Sequence, residues 1–442
     1  MIMAEQKTKL HKIWILLFVL FSIAMMIAMP IGRAPDEYSH FLQAYIIADG
    51  QWLSSMTSRT VSYPEDIQYF DYQSITLEEV DDLLKTDFSN KRVSMPLGVN
   101  TAIYPPISYF PQALGILLAS LFTKNGLIIA YCARAMNWFC TFAVLYWALQ
   151  KLPRYKNVMI FLTLLPINLQ EMVSVSADGM TTAVIFALTA FVLDSINRRK
   201  LFHKRDYFTI VLLSVAAVCW KVMYFPALFL LLLIPAECFP SKRHKKIVVT
   251  SAIAGGGILL ILWGTVCYTM LFRVAAEGGR ESSTILALSG LLDYPLDFFI
   301  MLFQTLKIKV IEYVENIFGY PFSWWNIYPS KYLVYASMGA CFMFVVADDA
   351  MVLDLKTRLS ILTASFVSIF VIFLMLYVWW TPAGSSVIEG IQGRYFIPVL
   401  LAMLIALKPP KKYGTKFLPA LYAITCILNI GFLMEILKAT LR

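Results

Sequence analysis

Ile13-Trp14-Ile15-Leu16-Leu17-Phe18-Val19-Leu20-Phe21-Ser22-Ile23-Ala24-Met25-Met26-Ile27-Ala28-Met29-Pro30 carries no charged residue and follows Lys7, Lys9 and Lys12. A helix of this length nearly covers the roughly 30 Å of hydrocarbon in a bilayer. Its backbone groups find no water in lipid, so the run must be helical. The positive flank is that of a signal peptide. The run is long for one, however, and lacks a small-residue cleavage site, so it reads as a retained first membrane helix.

The pattern recurs along the chain, most clearly at Ile247 to Leu271. With 59% hydrophobic and 15% charged residues and a mean hydropathy of +0.68, the 442 residues do not suit a soluble protein. The net charge of +9 raises the question of nucleic acid, and the placement of the basic residues answers it. They cluster in short loops between apolar runs: Lys151, Arg154 and Lys156; Arg198, Arg199, Lys200, Lys204 and Arg205; Lys242, Arg243, Lys245 and Lys246; Lys356 and Arg358; Lys408, Lys411, Lys412 and Lys416. Putting all of them on the cytoplasmic side, as the positive-inside rule asks, gives an alternating path with the N-terminus inside. The expectation is an all-α, multi-pass membrane protein with about eleven transmembrane helices and no nucleic-acid partner. They fall near 13–30, 129–149, 157–174, 178–195, 207–222, 223–238, 247–271, 332–347, 359–379, 394–407 and 417–437.

Residues 1–442 then form one polytopic membrane domain with two external segments, about 31–128 and 272–331, and no soluble domain. From Arg33 to Arg92 the first segment has eleven acidic and five basic residues. It closes with the apolar stretch Tyr104 to Phe122, opened by Pro105 and Pro106, which suits a helix lying in or dipping from the outer interface. In the second segment Trp324 and Trp325 suit a headgroup-level belt. The seven cysteines show no CxxC spacing and read as buried thiols packing as small hydrophobes. His11, His203 and His244 lie beside lysines and arginines and read as solvated.

The stretch richest in chemistry is Ala34-Pro35-Asp36-Glu37-Tyr38-Ser39-His40-Phe41, just outside the first run. In a helix Asp36 and His40 share a face, one turn apart. A carboxylate there can take a proton from an incoming hydroxyl, an effect worth about 10²–10⁴ in rate; the same acids also suit a first helical turn, where they complement the dipole. Lys221 lies near the end of an apolar run, either snorkelling or serving as a cation for a phosphate. Arg394 either anchors a helix at the interface or presents its planar fork to a phosphate. Asp178 either caps a helix after Ser176 or points into an outer cavity, and Arg134 either anchors its helix or lines a donor site.

The Pro-Asp-Glu-x-x-His-Phe segment after the first membrane helix resembles the acidic first external loop of the GT-C superfamily of multispanning glycosyltransferases, which use polyprenyl-phosphate-linked sugars. Tyr104-Pro105-Pro106-Ile107-Ser108-Tyr109 is similar to the element that opens an interfacial helix in those enzymes, and Ser176-Ala177-Asp178-Gly179 to a later motif near the outer face. Trp220-Lys221 with Tyr224 and Pro226, and Gln392-Gly393-Arg394-Tyr395-Phe396-Ile397-Pro398, match a group of uncharacterised bacterial predicted membrane proteins thought to be GT-C-like.

The resemblance implies an inverting glycosyltransferase at the outer membrane face. Its partners would be a polyprenyl-phosphate sugar donor, a glycan or lipid-linked acceptor, and membrane lipids. Asp36, aided by Glu37 or His40, would be the catalytic base. Arg394, Lys221 and Arg134 would bind the donor phosphate, and Tyr104, Asp178, Gln392 and Tyr395 would line the substrate cavity. The acids read Asp36-Glu37 rather than Asp-x-Asp, so a divalent cation such as magnesium or manganese is admitted without a ligand set. Two other classes fit a many-helix chain. A lipid-diphosphate-glycan polymerase or ligase calls for more external basic residues, and a lipid or glycan transporter of flippase type calls for an inverted repeat, which the sequence does not show.

Overall fold

The structure, a computed structural model, describes residues 2–51, 60–70, 77–96, 104–275, 287, 289–323, 326–382, 384–408 and 415–441. Trp324 and Trp325, read as a headgroup belt, lie outside the described residues, as do Lys411 and Lys412 of the last basic cluster.

The helices that are both long and apolar are α1 (Ile2–Ala28), α5 (Gly126–Lys151), α8 (Asp178–Arg198), α10 (Lys242–Ala275), α13 (Leu355–Trp379) and α15 (Leu418–Thr440). Each contains a stretch long and apolar enough to cross a membrane. Between them come α2 (Glu37–Ala48), α3 (Leu77–Leu83), α4 (Phe110–Ser120), α6 (Lys156–Thr163), α7 (Pro166–Val173), α9 (Lys204–Trp220), α11 (Pro295–Ile317), α12 (Lys331–Ala347) and α14 (Ile397–Leu407). The described residues are all-α apart from one antiparallel ribbon, β1 (Thr60–Pro64) on β2 (Arg92–Pro96), which the sequence analysis does not anticipate.

Six helices of spanning length among the described residues stand against about eleven expected, and the shortfall has local causes. The expected helix at 157–174 is two eight-residue helices, because Pro166 lacks the N–H that would continue α6. The expected helix at 223–238 is a 3₁₀ stretch, Val222–Leu233, with Pro226 inside it. At 17 residues each, α9 and α12 reach only about 26 Å. The 3₁₀ turn Gly393–Phe396 followed by the 11-residue α14 is shorter still. The stretch Tyr104 to Phe122 is a 3₁₀ turn followed by the 11-residue α4, too short to span.

Helix α8 is the axis of the fold, with 94% of its apolar window buried, whereas the corresponding stretch of α10 is only 11% buried. In lipid the exposed Ile258, Ile261 and Leu262 of α10 cost nothing, because the hydrocarbon is as apolar as they are. Around α8 pack α5, α7, α9 and α14. The C-terminal end of α8 meets the basic loops, where Asp194 pairs with Arg198. Its N-terminal end, at Asp178, meets the start of α2, the end of α9 and the loop before α14, and these four chain segments make the site.

Candidate active-site cleft

A hydrophobic run cannot place a polar constellation, so the positioning comes from buried polar contacts and close backbone approaches. On α5, Arg134 and Asn137 stand one turn apart and hold two loops. The guanidinium of Arg134 donates to Glu37 through Nε (2.7 Å) and Nη2 (2.6 Å), to the Met29 carbonyl (2.7 Å) and to the Pro30 carbonyl (3.0 Å). It thereby closes the C-terminal end of α1, whose last carbonyls lack helical partners. Asn137 Nδ2 donates to the carbonyls of Ser174 and Ser176 (2.9 and 3.0 Å), fixing the turn that precedes α8. Glu37 also accepts from the backbone N–H of Gly32 (2.9 Å) and of Val175 (3.1 Å). Glu37 and Arg134, read as base helper and phosphate ligand, thus form a fully buried pair of their own. They tie the loop carrying Asp36 to the loop carrying Asp178 and do not line the cleft.

Two glycines bring the remaining segments together. A Cβ on Gly179 would stand 2.7 Å from Met172 Cα and 2.9 Å from the Glu171 carbonyl, so only glycine lets α8 start against the end of α7. That contact sets Asp178 beside Glu171. A Cβ on Gly393 would stand 2.1 Å from the Tyr313 carbonyl, so the loop before α14 lies against the backbone of α11. There Asn316 Oδ1 accepts from the Arg394 N–H (3.2 Å) while its Nδ2 donates to the Pro321 carbonyl (3.0 Å).

The cleft, about 240 Å³ when the space open to solvent is included, is lined by Asn168, Glu171, Asp178, Thr181, Thr182, Lys221, Tyr224, Arg394, Tyr395, Ile397 and Pro398. Three carboxylates converge on the Arg394 guanidinium: Glu171 Oε1 accepts from Nη1 (2.7 Å), Asp36 Oδ2 from Nη2 (3.3 Å), and Asp178 Oδ2 lies 4.0 Å from Nε. Lys221 forms a close ion pair with Asp178, and its ammonium stands 4.5 Å from the Tyr395 ring centre and 5.7 Å from that of Tyr104. Tyr224 donates to the Tyr395 carbonyl (2.7 Å). Asp178 therefore faces the cleft as an ion-pair partner, and Ser176 Oγ accepts its backbone N–H (3.1 Å). The side chain of Gln392 does not line the cleft; its carbonyl accepts the Tyr395 N–H (3.0 Å) and shapes the turn.

Asp36 precedes α2 in the left-handed region (φ 59°), a conformation costing a non-glycine residue of order 1–3 kcal/mol and most often found at functional sites. Its side chain is 32% exposed, against 3% for those of Arg394 and Glu171, so among the three acids around Arg394 it is the one open to an arriving molecule. One turn on, His40 is buried, with Nδ1 2.7 Å from the Tyr109 hydroxyl and Nε2 3.4 Å from Ser176 Oγ. Burial pushes its pKa down to about 4 despite the upward pull of Asp178 and Asp36. His40 is therefore a neutral hydrogen-bonding wall behind the acids, also packed against Tyr104, whose hydroxyl burial holds well above the usual tyrosine range. Among the described residues no group of three or more His, Cys, Asp and Glu side chains is placed to hold a metal ion.

The sequence analysis missed Glu171, Asn316 and the threonine pair Thr181 and Thr182, and had Tyr224 only as part of a motif, without a role. Glu171 carried a legible signal, an acid within an apolar run. The family model described as predicted membrane protein (DUF2142) matches residues 17–403, which takes in every residue of the cleft. No curated protein and no solved structure matches the chain.

Proposed function

The chain belongs to the DUF2142 family of predicted membrane proteins, and on that footing we propose that it is a GT-C-like glycosyltransferase. It moves a sugar from a polyprenyl-phosphate carrier to an acceptor hydroxyl at the outer face of a bacterial cytoplasmic membrane. The observation that carries the reading is the placement of Asp36: a strained, solvent-reachable carboxylate, hydrogen-bonded to a buried arginine at the edge of a polar cleft. The cleft lies at the end of α8 opposite the basic loop at Arg198 to Arg205, which the positive-inside rule assigns to the cytoplasm.

In this mechanism Asp36 takes the proton of the acceptor hydroxyl. The acceptor oxygen forms a bond to the anomeric carbon as the bond from that carbon to the phosphate oxygen breaks, and the electron pair leaves with the phosphate. Attack from the side opposite the phosphate inverts the anomeric centre. Lys221 and Arg394 meet the charge gathering on the phosphate. Asp178 and Glu171 hold both cations in place beforehand, so little reorganisation is left for the reaction itself.

The test is sugar transfer by the full chain in lipid nanodiscs with a panel of polyprenyl-phosphate sugars, wild type beside Asp36→Asn. Release of free polyprenyl phosphate by the wild type alone supports the reading. Equal release by both removes Asp36 as base, and no release from a folded wild type with any donor overturns the enzyme class.

A further inference from the structure

The polar atoms inside the cleft are not all satisfied. Oε1 of Glu171 accepts from Arg394 Nη1 (2.7 Å) and from Gln170 Nε2 (2.9 Å), yet Oε2 of the same carboxylate is buried without a hydrogen-bond partner. Nε of Arg394 is likewise buried without a hydrogen-bond partner, its nearest carboxylate oxygen being 4.0 Å away on Asp178. Both side chains line the cleft and are nine-tenths or more buried. Asp178 Oδ1, the third such atom in the cleft, faces the Lys221 ammonium, so the Glu171–Arg394 pair is left with one acceptor and one donor, on two side chains already clamped to each other.

We propose that Glu171 and Arg394 form a hydroxyl-binding notch, and that Glu171 is the residue by which this protein selects its sugar. The ligand must donate a hydrogen bond to a carboxylate oxygen and accept one from a guanidinium N–H. Phosphate oxygens, when ionised, only accept, and an ammonium only donates. A hydroxyl does both, and it replaces a water at the same atoms without losing a hydrogen bond. The neighbours agree in kind: Asn168, Thr181 and Thr182, on the same wall, are neutral and hydrogen-bonding.

Position matters as much as chemistry. Gln170, next to Glu171, donates to it and accepts the Ser323 N–H (3.0 Å) through Oε1. Ser323 in turn donates to the Arg33 carbonyl (2.5 Å), three residues before Asp36. Glu171 is thus held on the same frame as the base. A site built to hydrogen-bond a hydroxyl rejects the analogue lacking it far more strongly than an apolar pocket rejects an extra group.

The inference rests on the glycosyltransferase reading for its ligand class but is tested without turnover. Binding of a panel of methyl hexosides and their monodeoxy analogues to the full chain in nanodiscs is measured by titration calorimetry, for the wild type and for Glu171→Gln. The expected result is that at least one parent glycoside binds, and that removing one particular hydroxyl weakens it by about 10- to 100-fold. In Glu171→Gln that discrimination collapses to about twofold, whereas a merely structural Glu171 would lower stability and leave the ranking of analogues intact. No binding by any parent, equal binding of every deoxy analogue, or discrimination unchanged in Glu171→Gln overturns the notch. Should Glu171→Gln not fold, the wild-type deoxy series decides by itself. The notch can fail while lipid-donor turnover stands, and turnover can fail while the notch stands, so the two readings are separable.

Discussion

Asp36 Oδ2 and Arg394 Nη2 meet at 3.3 Å across 358 residues of sequence, and that one contact joins the loop after the first helix to the loop before α14. Around it the protein keeps two kinds of charge pair. Asp36–Arg394 is open to solvent on the acid's side, and Glu37–Arg134 is sealed. The distinction sets the expected behaviour of neighbouring acids.

Asp36→Asn keeps the shape and one acceptor oxygen but loses the base. Sugar transfer is expected to fall by about 10²–10⁴, the usual worth of a positioned general base. Donor binding and the unfolding temperature should stay close to wild type. Release of polyprenyl phosphate, donor titration and a thermal melt on one preparation check all three.

Glu37→Gln acts on folding instead. It leaves the Arg134 guanidinium buried without its counter-charge, and breaking a buried pair from one side costs about 3–5 kcal/mol. A marked fall in unfolding temperature, greater than that of Asp36→Asn, is the expected result. An unfolding temperature like the wild type's would show that the pair does not hold the two loops together.

Gly393→Ala and Gly179→Ala each put a methyl group into backbone, the first 2.1 Å from the Tyr313 carbonyl and the second 2.7 Å from Met172 Cα. Backbone cannot move aside as a flexible side chain can, so each should destabilise by about 1–3 kcal/mol. Gly393→Ala also shifts Arg394, so its turnover should fall beyond what its stability predicts. Gly255→Ala, where nothing stands within 4 Å of the added carbon, is the control; in the interior of α10 it should leave turnover unchanged and raise stability by up to about 1 kcal/mol.

His40 supplies a pH signature. Its folded pKa of about 4 lies below the 6.5 of a free imidazole, so between those values the unfolded chain binds the proton and the folded one does not. The contribution is fully present above about pH 6.5 and is lost as pH falls toward 4. Stability measured across that window should decline less steeply in His40→Gln than in the wild type. Turnover above pH 6.5 should show no step that disappears in the same variant.

Several parts of this arrangement were legible in the sequence because they rest on local chemistry. The uncharged run at 13–30 has to be a helix in lipid, and Pro105 with Pro106 suit the opening of one. The cluster Asp36-Glu37-x-x-His40 announced a polar site. What it could not announce was that adjacent carboxylates would part company, since Glu37 begins α2 and points into the bundle while the left-handed backbone at Asp36 turns that side chain to the cleft. The difference between about eleven expected spans and the six long apolar helices among the described residues has a related reason. Hydropathy measures how apolar a stretch is and takes little notice of a proline such as Pro166 or Pro226 that splits or tightens it.

The sequence by itself determined that this is a helical membrane protein, because 59% hydrophobic residues in long uncharged runs have no other stable home than lipid. It also singled out Lys221 and Arg394 as charges too costly to stand in or beside such runs without a partner, and Asp36 and Asp178 as acids at helix starts that a site could use. Only the tertiary structure decided who the partners are. Arg394 draws on Glu171 and Asp36 together, Lys221 on Asp178, and Arg134 on Glu37, through contacts that span from 43 to 358 residues of chain. Coulomb attraction and desolvation depend on distance and burial, which helix packing sets and sequence spacing does not express.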